Sequence, residues 1–295
     1  MKRIIFLSFV LIVFIFEVEA QVADLARIEY THFPQDQSDN SFRRFRTFVH
    51  FPIMLGENAF LVPGLEYRNV FLKLRDPLPF NTNNKERYQS FTATLGFTDK
   101  LKNDWRYAFK GGINLASDFE GKPIKDDYIY EASVFLLKDK TGPDETNPSA
   151  KPWRLILGVS YSTTVGRPFP LPIINYYREF QPQWSFTLGI PKTNLKYKFN
   201  EKNSLQAFAT LDGFFANIQN NINVPNEGIG ENISMTTVLS GLGYEYGLSK
   251  YLFLYAYFGH TIINDIRLRD GKGNDIYTIN NQNNFYGRTG IKFKI

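Results

Sequence analysis

The sequence predicts an all-β protein, a single antiparallel up-and-down transmembrane β-barrel of about 14 strands, within the size range of bacterial outer-membrane barrels. Three observations carry this. Apolar and polar residues alternate with a period of two along most of the chain, which is the pattern of strands with one apolar face. Aromatic residues make up 16% of the chain, with 28 Phe and 17 Tyr, and these suit pleated surfaces and the boundary between water and hydrocarbon. The alternation also reaches the last residue: Phe285, Gly287, Thr289, Ile291, Phe293 and Ile295 stand against Tyr286, Arg288, Gly290, Lys292 and Lys294. In a membrane such a sheet must close on itself, with the apolar side chains toward lipid and the charged ones toward a wet lumen.

Lys2-Arg3 and the apolar run Ile4 to Phe16, ending in Val18-Glu19-Ala20, read as a signal peptide over residues 1–20. Cleavage near Ala20 then leaves 21–295 as the barrel and sends it to the cell outer membrane of a Gram-negative bacterium. The run is short for a spanning helix, and no later segment matches it. Cysteine is absent, which excludes a disulfide framework, a thiolate metal site and a lipid-anchored cysteine. The net charge of +5 does not point to nucleic acid, because Lys and Arg are scattered through alternating strands instead of clustered on one face.

In order, Val22 to Phe33 alternates, and a polar loop follows from Pro34 to Asn40. Arg43 to Ile53 sets Phe45, Val49 and Phe51 against Arg44, Arg46 and His50. The Leu55 to Asn58 turn returns the chain through Ala59 to Leu72, and a long polar connection runs from Arg75 to Arg87. Tyr88 to Thr98 and Asp104 to Leu115 form the clearest hairpin of the first half. Asp127 to Lys138 and Trp153 to Thr163 follow, separated by the loop Asp139 to Pro152. The middle strands, Leu171 to Tyr177, Trp184 to Ile190 and Asn194 to Phe199, are short and punctuated by Pro172, Pro182 and Pro191, so an edge, bulge or break is expected there. Ser204 to Phe215 precedes an expected Asn-rich loop from Asn217 to Asn232. The hairpin Ser234–Leu248 and Tyr251–Ile263, the expected longest loop Asn264 to Asn284 and the final strand complete the chain.

Tight connections fall after every even strand, as expected if short turns face the periplasm and both chain ends lie there. Asp139 to Pro152 is the long exception. Merging two proline-broken strands would give about 12 strands, also an allowed count. The signal, the terminal Lys-Phe-Lys-Ile and the run Leu171-Pro-Ile…Trp184-Ser-Phe-Thr-Leu-Gly-Ile-Pro191…Leu195-Lys-Tyr-Lys resemble an uncharacterised family of outer-membrane barrels, a domain of unknown function, from Bacteroidetes-type bacteria. The resemblance implies a barrel and a location, and no catalytic residues. The terminal Ile295 departs from the usual terminal aromatic of such barrels.

Strand parity assigns Arg27, Arg44, Arg46, Arg68, Arg106, Lys110, Arg154, Lys196, Lys198, Arg288 and Lys292 to the lumen, with Glu29, Glu66, Glu131, Asp212 and Glu245. Basic groups outnumber acidic ones, and low-dielectric walls would focus that field on an anion. The expected function is therefore a passive channel or binding cavity for small polar or anionic solutes, not an enzyme. The same charges would equally serve to pair across and fill a narrow lumen, as in a structural or adhesive barrel.

A lipase or acyltransferase would need a Ser/His site. The histidines are His32, His50 and His260, and no Gly-x-Ser-x-Gly elbow accompanies them. Asp270 to Asp275, near Asp265, offers loop oxygens without EF-hand spacing, so a solvated turn is the better reading than calcium. No cofactor motif is present. The expected partners are outer-membrane lipid, the machinery that inserts barrels and small solutes, with the oligomeric state left open.

Overall fold

The computed structural model describes residues 24–34, 40–82, 85–142, 149–164 and 170–294. The expected signal peptide and its cleavage site, the centres of the loops at 34–40 and 139–152, and Ile295 lie outside the described residues. The strands are β1 (Asp24–Phe33), β2 (Ser41–His50), β3 (Ile53–Met54), β4 (Phe60–Lys73), β5 (Arg87–Lys100), β6 (Trp105–Ser117), β7 (Tyr128–Lys140) and β8 (Trp153–Ser162). They continue with β9 (Leu171–Gln181), β10 (Trp184–Ile190), β11 (Lys192–Lys198), β12 (Asn203–Val224), β13 (Gly228–Gly247), β14 (Leu252–Arg269), β15 (Asp275–Asn280) and β16 (Phe285–Lys294).

Each ring strand pairs antiparallel with its neighbours, and the ring closes where β1 meets β16, from Asp24↔Lys294 to His32↔Gly287. The two-residue β3 pairs only with β4, and β15 only with β14, so the closed barrel has 14 strands. The period of two explains which side chains face out: Ile28, Leu65, Leu95, Phe109, Val134, Leu242 and Phe258 are all exposed. In water such a band would be a liability, and in hydrocarbon it is the solvated surface. Among the described residues no helix is long and apolar enough to cross a membrane.

Two expectations need correction. The stretch Asn217 to Asn232 is not a loop: β12 and β13 run through it to a tight turn at residues 225–227. Its asparagines hide a second signal, since Ile218, Ile222, Val224 and Ile233 are buried. The stretch Asn264 to Asn284 is likewise mostly strand, as β14 continues to Arg269 and β15 folds back on it. The proline-broken middle is what the sequence implies, with Pro182 in a turn and Pro191 as the single residue between β10 and β11.

β12 does something a simple barrel strand does not. β11 pairs with it only up to Lys192↔Thr210, after which β12, still paired with β13 along its other edge, bends inward across the interior. It reaches β6 on the far side, where Asn217 pairs parallel with Ser117. Asn217 Nδ2 also donates to Asp127 Oδ1 at 2.8 Å, and Gln219 Nε2 to Asp127 Oδ2 at 2.9 Å. Around this crossing, at the end remote from the chain termini, Phe33, Phe42, Tyr88, Phe214, Leu268 and Tyr286 bury one another in an apolar cluster.

Candidate functional site: a polar cavity beside a strand septum

Because β12 cuts across, the interior is divided into two unlike halves. On one side of the strand, Asp212 accepts from Arg44 Nη1 at 2.9 Å and Nη2 at 2.7 Å, and from Arg288 Nη2 at 2.5 Å. Glu29 completes a quartet, 3.5 Å from Arg44 and 3.6 Å from Arg288, while the Tyr255 hydroxyl donates to its other oxygen at 2.8 Å. Arg27 pairs with Asp24 and Glu29. Toward the terminal end Glu245 gathers Lys196 at 2.8 Å, Lys292, the Tyr257 hydroxyl at 2.8 Å and Gln206 at 3.0 Å. These bonds join β1, β2, β11, β12, β13, β14 and β16 across the barrel and leave this half filled.

The other half holds a cavity of about 380 Å³. Arg46, Arg68, Lys110 and His50 line it with Glu66 and Glu131, and Gly213 and Phe215 of β12 form its inner wall. Arg46 Nη2 donates to Glu66 at 2.7 Å, Arg68 pairs with the same carboxylate, and Lys110 stands 3.0 Å from Glu131. The room exists because small residues are interspersed with the charged ones on the inward faces of β4 to β8. One lateral row reads His50, Gly64, Thr94, Gly112, Glu131 and Ser162 from strand to strand. A Cβ on Gly64 would come 2.6 Å from both His50 and Thr94, and one on Gly112 would come 3.0 Å from Glu131. The glycines thus let larger neighbours lean over them, and Ser90, Thr92, Asn114 and Ser160 add hydroxyls and an amide.

This geometry offers charge-assisted donors, hydroxyls and two carboxylates around one space, groups with the chemistry to hydrogen-bond a small polar molecule. A profile described as a domain of unknown function, DUF6268, matches residues 85–294. The chain belongs to the DUF6268 family. No curated protein matches it.

Among solved structures the DUF6268 chain is similar to the KdgM porin, at 8% identity and a TM-score of 0.38, covering 91% of this chain and 99% of that one. It is also similar to outer membrane phospholipase A from Escherichia coli, at 12% identity and 0.38, covering 92% and 90%. LpxR from Salmonella typhimurium aligns at 9% identity and 0.37, covering 92% and 100%.

The remaining parity-assigned residues of the DUF6268 barrel sit nearer its terminal end. Arg106 donates to the Asn58 carbonyl at 2.9 Å and lies over Phe60, Arg154 lies over the Tyr177 ring at 5.7 Å, and Lys198 is 3.7 Å from Glu179. The histidines do not converge. His50 lines the cavity, His260 packs edge-on against the exposed Phe285 at 5.0 Å, and His32 sits opposite Gly287 on β1.

Asp270 closes its own turn, accepting from the Lys272 and Asn274 backbone N–H groups at 2.9 and 2.8 Å and from the Asn274 amide at 2.8 Å. The Asn274 side-chain hydrogen bond holds the Asp270 carboxyl below the usual range. Parity reasoning picked out charges and passed over Gly64, Thr94, Gly112 and Ser162, although runs of small polar residues at inward positions were the available signal. It also passed over Lys192, Gln206, Tyr255 and Tyr257, which lie on the inward parity of β11, β12 and β14.

Proposed function

We propose that this DUF6268 barrel is an outer-membrane protein that holds a small polar solute with an anionic group in the cavity beside β12. Export by the signal peptide, insertion by the barrel machinery and residence in a Gram-negative, Bacteroidetes-type outer membrane with the termini in the periplasm are part of this reading. The observation that carries it is the contrast within one lumen. One half is filled by ion pairs, while the other keeps about 380 Å³ lined by three basic groups, two carboxylates and several hydroxyls. The apolar cluster over the remote end supports a binding cavity in preference to a wide conduit, since a water-filled path has no use for packed Phe and Tyr side chains. The scattered histidines support a binder in preference to a lipase or acyltransferase.

Refolded protein titrated calorimetrically with glycerol 3-phosphate and with glycerol tests this. Saturable binding of the anion, weaker binding of glycerol, and loss of both in Gly112→Val are expected, because the added side chain occupies the space under Thr94 and Glu131. No saturable binding, or a large steady conductance in planar bilayers, would overturn it.

A further inference from the structure

Among the described residues the barrel wall has a gap, and we infer that it admits the headgroup of an anionic membrane lipid sideways into the cavity while the acyl chains lie along the outer surface below. This rests on the cavity reading above and names the ligand class.

The gap follows from strand lengths. The β10–β11 hairpin is short, and its pairings end at Ile190↔Ile174 on one side and Lys192↔Thr210 on the other. β9 nevertheless begins at Leu171 and β12 continues to Val224. Among the described residues, Leu171 and Pro172 therefore pair only with β8, at Ser160 and Val159. Proline has no N–H to give a second neighbour, so the sequence accepts an edge here. On β12 the last bond to the hairpin is Leu211 N–H to the Pro191 carbonyl at 2.8 Å. Beyond it the strand turns inward.

The frame of this opening is also the border of the cavity. Leu171 on one side and Gly213 and Phe215 on the other belong to the cavity lining. Leu171 is 41% exposed, an apolar residue at the mouth of an otherwise polar space. Directly below, on the outward face of β10 to β12, lies an apolar trough of about 600 Å³. Phe186, Leu188 and Leu195 wall it, and Ala207 and Ala209 form its floor where other strands carry larger outward residues.

A trough in the lipid-facing band is filled by hydrocarbon. A ligand that uses trough and cavity together must be apolar at one end and polar at the other. The sign of the polar end follows from the lining: Arg46, Arg68 and Lys110 against Glu66 and Glu131 leave one excess positive charge, the complement of a single phosphodiester.

The test uses full-length protein in phosphatidylcholine vesicles containing phosphatidylglycerol with a photoreactive group on its glycerol head, followed by mapping of labelled peptides. Label at Thr92–Thr94 or Ser160–Ser162 is expected. It should fall to background in Pro172→Trp and in Leu211→Trp, two independent ways of crowding the opening from outside the cavity lining, while both variants retain heat-modifiable migration and wild-type affinity for glycerol 3-phosphate. Label confined to outward residues, or cavity label indifferent to both substitutions, with glycerol 3-phosphate binding intact, would overturn lateral entry and leave the cavity reading standing. Crosslinks between two protein copies at the trough would likewise overturn it. Absence of both lipid label and glycerol 3-phosphate binding would remove the two proposals together.

Discussion

Replacing Asp212 by Asn removes one charge from a set of four and leaves its shape. Side-chain exposure is 3% for Arg44, 9% for Arg288 and 0% for Glu29, so their charges are largely sheltered from water. With Asp212 ionised, two carboxylates face two guanidinium groups; with Asn, one carboxylate faces two. Asn offers one acceptor oxygen where Asp212 offers two, so at least one of the three hydrogen bonds is lost and the others change from ion–ion to ion–dipole; each such change costs about 1 kcal/mol. The sum, about 3 kcal/mol, meets the lower end of the range for breaking a buried ion pair from one side, and the 17% exposure of Asp212 argues for that lower end.

Equilibrium unfolding by guanidinium in phospholipid vesicles, followed by tryptophan fluorescence, should show a loss of that size, on the order of a hundredfold in the unfolding constant. Adding Arg288→Met to Asp212→Asn restores the balance of one against one and should recover more than half of the loss. A single variant that loses less than about 1 kcal/mol, or a double variant whose loss is the sum of the two singles, would refute the account of the quartet.

Two further outcomes follow from the same structure. Phe214 packs against Tyr88 with ring centroids 6.3 Å apart at the crossing strand, so Phe214→Ala should cost about 3 to 5 kcal/mol in the same unfolding assay and give discrete conductance events in planar bilayers where the unaltered protein gives none. The Asp270 carboxyl is held low in the folded state, so its contribution is present above its unfolded pKa, about 3.9, and is lost as pH falls through the lower folded value. Protection of the Asn274 amide, relative to its intrinsic exchange rate, should fall as pH drops through that interval, and Asp270→Asn should remove this dependence.

The period-two pattern made the strand count legible, because each ring strand turns an apolar face outward and a polar face toward the lumen, and the two demands fall on alternate residues. Asn217 to Asn232 misled for a physical reason. Asparagine belongs to loops when water satisfies its amide, yet here Asn217 bonds to Asp127 inside the protein and Ile218 and Ile222 alternate beside it. The inward charges were legible one strand at a time. Their partners were not, since Arg44 and Asp212 are 168 residues apart and nothing local says that β12 will cross the interior. The cavity escaped notice for the complementary reason: it is made by what Gly64 and Gly112 lack, and absence of a side chain matters only once the register sets His50, Thr94 and Glu131 around it.

The four members of the Arg44–Asp212 quartet are drawn from the first, second, eleventh and last strands of the ring. A sheet lacking its final strand would hold Asp24, Glu29 and Asp212 against Arg27 and Arg44, an excess of one negative charge. Docking of Arg288 cancels that charge at the moment the seam zips. The quartet is therefore an electrostatic latch across the seam where β1 meets β16.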